Sequence, residues 1–109
     1  VIEPAVTRKI GVTGTAALTL DATDWKSAYW AKEKGLYAKV FESISDADKE
    51  VSTFTTKLAS YNPAALAEMK KVLWKGTEEW NLLLAERTAI SGKLVLSEFT
   101  KTALLKFKK

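Results

Sequence analysis

The chain contains no cysteine and no histidine. The first absence rules out disulfides and thiolate chemistry and leaves the redox compartment open. The second removes the commonest general base and the commonest metal ligand. No apolar run approaches the ~20 residues that a membrane span needs, and the start carries no basic-then-apolar signal pattern. The expectation is a soluble, cytoplasmic chain with no metal site. Arginine is scarce too, since 15 of the 17 basic residues are lysines. Lysine is a mobile point charge that can meet a phosphate but lacks arginine's bidentate reading of bases. No serine is set beside a base, and no glycine-rich loop is laid out to cradle a phosphate.

What is present is enough for a domain. With 109 residues, 47% of them hydrophobic and 28% charged, the composition is that of one globular unit with a modest core. The four tryptophans, Trp25, Trp30, Trp74 and Trp80, each offer a large contact area, and core or subunit interface accounts for them. The net charge of +4 is that of a solvated helix surface.

The strongest local signal is Lys57-Leu58-Ala59-Ser60-Tyr61-Asn62-Pro63-Ala64-Ala65-Leu66. It reads as one amphipathic helix ending and another beginning. Ala47, Val51, Phe54 and Leu58 recur at helical steps before the corner, and Leu66, Met69, Val72 and Leu73 after it. Proline suits the first helical position, where its missing N–H costs nothing, and Asn62 can cap the new helix. Upstream, Thr23 or Asp24 caps a helix from Trp25 to Lys34 that Gly35 closes in a left-handed turn. Leu36 to Phe41 alternates apolar with small or polar residues and reads as a short strand. Ser45 or Asp46 caps the long helix to Ser60. The helix from Pro63 ends near Lys75, a third runs from Thr77 to Ser91-Gly92, and a last one opens at Ser97-Glu98. Glu78 and Glu79 read as capping charges rather than a catalytic pair, because helical neighbours diverge by about 100°. Glu68 beside Lys70 or Lys71 reads as a surface ion pair. The fold class expected is mainly α with one short strand, and a lone strand must find its partner elsewhere.

Several of these stretches, taken in order, resemble the crotonase superfamily of enoyl-CoA hydratases and isomerases. Ala28-x-x-Ala31-x-x-x-Gly35-Leu36, then Val40, is similar to that family's A-x-x-A-x-x-x-G-L-V-x-x-V signature. Arg8-Lys9-Ile10-Gly11, with Leu18-Thr19-Leu20 beyond, looks like the helix preceding it. Asp46, Leu58-Ala59, Asn62-Pro63-Ala64-Ala65-Leu66, Leu84-x-Glu86-Arg87 and Ser97-Glu98 follow in the family's order. The resemblance implies the helical carboxyl-terminal, oligomerising part of a crotonase-like α/β spiral fold. Residues 1–41 would end the core and 42–109 form the helical region.

What it implies for function follows from the family. The activity would be hydration or isomerisation of an acyl-CoA thioester through an enolate held in an oxyanion hole. The catalytic glutamates would lie upstream, with no catalytic residue in this chain, and Glu3 sits at the wrong offset to inherit the role. Coenzyme A would enter only as part of the substrate, with no further cofactor. Lys106, Phe107, Lys108 and Lys109 would be the CoA-binding residues, lysines toward the phosphates and Phe107 on the adenine. The assembly would be a homotrimer or a dimer of trimers, without nucleic-acid or membrane partners. The alternative class is a small basic helical binding module without catalysis.

Overall fold

The computed structural model describes residues 1–107. Six helices follow one another: α1 (Glu3–Thr19), α2 (Ala28–Glu33), α3 (Ile44–Ala59), α4 (Pro63–Trp74), α5 (Trp80–Val95) and α6 (Glu98–Phe107). Among the described residues there is no strand, and no helix is long and apolar enough to cross a membrane. The mainly helical expectation holds. The strand does not.

The reason lies at the end of α2. Gly35, at φ 85°, sits in the left-handed region, and its N–H donates to the Lys32 carbonyl at 3.0 Å. The Leu36 N–H reaches back to the Ala31 carbonyl at 2.8 Å, and that of Tyr37 to the same oxygen at 3.3 Å. The Gly35 and Leu36 bonds form the Schellman arrangement, which satisfies the orphan carbonyls of a helix end, and the Tyr37 bond adds to it. Together these bonds spend two of the donors that a ladder through residues 36–41 would need. Side-chain alternation alone does not make a strand when the backbone donors are already committed. The loop continues to Ser43, and Lys39 forms an ion pair with Glu50 of α3.

Other boundaries move for equally local reasons. Helix α2 starts at Ala28, because Ser27 accepts the Trp30 N–H at 3.1 Å and is the cap that Thr23 and Asp24 were expected to provide. Asp24 instead pairs with Lys26, which also reaches Asp21 at 3.0 Å. Helix α3 is capped by Ser43 rather than Ser45 or Asp46, its hydroxyl accepting from the Asp46 N–H at 3.1 Å. Helix α5 begins at Trp80, not Thr77, and runs through Ser91-Gly92 to Val95. Residues 93–95, expected as a link, are its last turn. The Asn62-Pro63 corner stands as read: the Asn62 side-chain oxygen accepts from Ala64 N–H at 2.9 Å and Ala65 N–H at 3.4 Å, with Pro63 opening α4.

The helices are well formed but little covered. α1 breaks at Gly11, and hydroxyls of Thr7 and Thr15, one on each side of the break, meet at 3.0 Å. Pro4, Gly14 and Thr15 are buried there and Ala31 in α2, whereas α3, α4, α5 and α6 bury no residue fully. The chain has a radius of gyration of 18.6 Å, against about 13 Å for a compact domain of this length. Its accessible surface is 9426 Å², where a compact protein of this size exposes about 6,000 Å². Roughly 3,400 Å² more surface is open than a self-contained fold of this length would leave.

Candidate functional site

The residues expected to meet coenzyme A lie at the end of α6. Lys106 lines a shallow groove with Glu98, Phe99, Thr102 and Ala103, all on one face of that single helix. Phe107 is 84% exposed, and among the described residues the groove is lined by α6 alone. Lys108 and Lys109 fall outside the described residues. The described part of the tail is therefore an open helix end, and convergence on a ligand would require a surface supplied from elsewhere.

An open cleft lined by more than one element lies between α1 and the α4–α5 corner, and the sequence reading missed it. It is lined by Glu3, Thr7, Arg8, Trp80, Leu83 and Arg87, among others. Both arginines of the chain are there. The Arg8 Nη2 donates to the Leu73 and Lys75 carbonyls, each at 2.8 Å. Arg87 meets Glu3 at 3.4 Å and Glu86 at 3.1 Å. Glu3 also accepts from the Thr7 hydroxyl at 2.9 Å. The network thus runs from α5 through Glu3 to Thr7, and the Thr15 hydroxyl, 3.0 Å from that of Thr7, has one proton to give either to it or to the Gly11 carbonyl at 2.9 Å.

Neighbouring charges and dipoles decide what this cleft can do. The carboxylates of Glu3 and Glu86 face Arg87. Arg8 is engaged by the carbonyl end of α4, the negative pole of the helix dipole. The Glu78 carboxyl is held below its ordinary value, first by a hydrogen bond from its own backbone N–H, then by that of Gly76, with the Arg8 charge adding to both. Two guanidiniums meet the carboxylates of Glu3, Glu78 and Glu86, so the cleft is a structural ion network rather than an anion cradle. Its one sequence signal was the scarcity of arginine itself. In a lysine-rich chain, two guanidinium forks mark positions where planar, directional donors are used.

The tryptophans divide. Trp74 and Trp80 flank the α4–α5 corner in an edge-to-face pair with centroids 5.9 Å apart, a geometry that aromatic quadrupoles favour. Trp25 is 95% exposed in the segment before α2. Glu78 does not cap α5 but accepts the Gly76 N–H at 3.1 Å. Glu68 does form the surface ion pair, with Lys71 at 2.6 Å. Compared with protein families, curated proteins and solved structures, the chain finds no match.

Proposed function

We propose that this chain is the helical, oligomerising and CoA-proximal part of an enoyl-CoA hydratase/isomerase-type enzyme, with the reacting groups supplied by sequence upstream of it. The observation that carries the reading is the uncovered surface: 9426 Å² for six helices of which α3 to α6 bury no residue fully. The excess of roughly 3,400 Å² lies in the range that permanent protein interfaces bury. Local structure agrees with the motif order, because Gly35 ends α2 in the left-handed turn that the A-x-x-A-x-x-x-G pattern calls for. Asn62-Pro63 likewise opens α4 as the N-P-x-A-L stretch requires. Substrate would be an acyl-CoA thioester, and the assembly a homotrimer or a dimer of trimers.

The test uses the intact polypeptide to which the segment belongs. It should hydrate or isomerise a short enoyl-CoA, followed by the change in conjugated-thioester absorbance, and sediment as a trimer or hexamer. A monomer inert toward enoyl-CoA would overturn the reading. The alternative, a helical binding module without catalysis, gains from one observation: residues 36–41 form no strand, so no unpaired sheet edge speaks against a module. The same measurement separates the two, since a module forms a complex with a protein partner and leaves enoyl-CoA unchanged.

A further inference from the structure

The sparse burial leaves unexplained what fixes the α4–α5 corner against α1. Helix α4 buries no residue, so apolar packing does not hold it. The backbone accounting at its exit points to one side chain. The Val72 carbonyl accepts from the Lys75 N–H at 3.3 Å, and that of Trp74 from the Thr77 N–H at 3.2 Å and the Thr77 hydroxyl at 2.7 Å. The Leu73 and Lys75 carbonyls take their donor from Arg8, 65 and 67 residues away. The last carbonyls of a helix have no intrahelical donor, and here a distant guanidinium supplies one to two of them at once.

We propose that Arg8 is a latch: it clips the carboxyl end of α4 to α1 and so sets the direction in which α4 presents Leu66, Met69, Val72 and Leu73. A guanidinium suits the task, because its fixed fork stays charged at all working pH values and holds its donors in one plane. Lysine keeps the charge but has no such fork. The Glu3–Arg87 contact, at 3.4 Å, is longer than the Arg8 bonds and ties α1 to α5 rather than to α4. With Arg8 removed, the backbone hydrogen bonds inside each helix stay, but the Leu73 and Lys75 carbonyls lose their donor and the corner swings. The inference stands independently of the enzymatic reading, since it concerns only how this chain holds itself.

The absence of cysteine from these 109 residues allows clean two-site spin labelling of this chain. Lys9→Cys on α1 and Lys70→Cys on α4 are both exposed, and pulsed dipolar spectroscopy reads the distance between the labels. The labelled parent should give a single narrow distance distribution. Arg8→Ala should lose it for a broad, multi-component one while the far-UV circular dichroism stays helical. Arg8→Lys should broaden it too, although the charge remains. A parent that is already broad, or an Arg8→Ala distribution as narrow as the parent's, overturns the latch. If Arg8→Ala loses helix, Arg8→Lys decides, with a narrow distribution counting against the proposal and a broad one for it.

Discussion

Two glycine-to-alanine substitutions should move stability in opposite directions, and the structure gives both magnitudes. At Gly35 an added Cβ would meet only the Lys9 carbonyl oxygen at 3.8 Å, an ordinary contact. Sterics are therefore not the issue. The backbone is, because φ is 85° and an L-residue held left-handed costs about 1–2 kcal/mol. Alanine also restricts the unfolded chain, which returns about 0.4–1 kcal/mol. Gly35→Ala should lose about 1 kcal/mol net. Gly92 lies inside α5, outside the positive-φ set, with open space where a Cβ would go. There Gly92→Ala should gain close to 1 kcal/mol, the propensity difference in a helix interior. Urea unfolding of the intact polypeptide, followed by far-UV circular dichroism, separates the pair by about 2 kcal/mol if the denaturant slope is unchanged. Gly35→Asn should lose less than the alanine variant, since asparagine visits the left-handed region more readily. A loss at both positions would refute the continuity of α5 through Gly92, and a gain at both would refute the Schellman closure at Gly35.

Three further outcomes are expected. Asn62→Ala removes the acceptor for two α4 N–H groups and should cost about 1 kcal/mol in thermal or urea unfolding, whereas Asn62→Asp should restore most of it; equal stability of the alanine variant would show the cap to be idle. The Glu78 carboxyl titrates below its ordinary range in the folded chain, so the stability it contributes is fully present above the ordinary value and is lost as pH falls through the folded one. A side-chain carboxyl titration by NMR should show the depressed value, and an ordinary one would remove that contribution. In the proposed enzyme, replacing Lys106, Lys108 and Lys109 by glutamine should raise KM for acyl-CoA several-fold and leave kcat nearly unchanged, because a remote phosphate contact is equal in ground and transition states. Added salt should shrink the difference, and an unchanged KM at low ionic strength would reduce the tail to a solvated helix end.

The parts of this fold that the sequence announced are those decided within a few residues. Asn62 before Pro63 places an acceptor and a pre-set φ side by side, and the corner follows. Gly35 after a short helical run marks its end for the same reason. Where two local signals competed, reading side chains alone chose wrongly. Residues 36–41 alternate like a strand, but the Ala31 carbonyl claims their first donors. Ser91-Gly92 looks like a stop, but a glycine ends a helix only when it turns left-handed, and Gly92 does not. The Arg8 and Glu3–Arg87 contacts were out of reach altogether, since their partners lie 65 to 84 residues away and no periodicity encodes such a meeting. The tail was named by residue type, and type alone places Lys106 and Phe107 on a helix without bringing anything to face them.

The closure at the end of α2 also bears on how the chain avoids misassembly. Leu36 to Phe41 is the stretch best suited to pair edge-to-edge with another molecule, being short, rich in aromatic and branched residues, and free of proline. Such a segment becomes a template for aggregation when its N–H and C=O groups are left open along an extended edge. Here the donors of Leu36 and Tyr37 both end on Ala31, which bends the segment back onto its own helix. Lys39, in the middle, carries a charge that would have to be desolvated in any stacked sheet, and its ion pair with Glu50 tethers the loop to α3. One left-handed glycine thus spares a sparsely buried helical chain its most adhesive segment, and substitutions at Gly35 should show up as precipitation on storage as well as in unfolding curves.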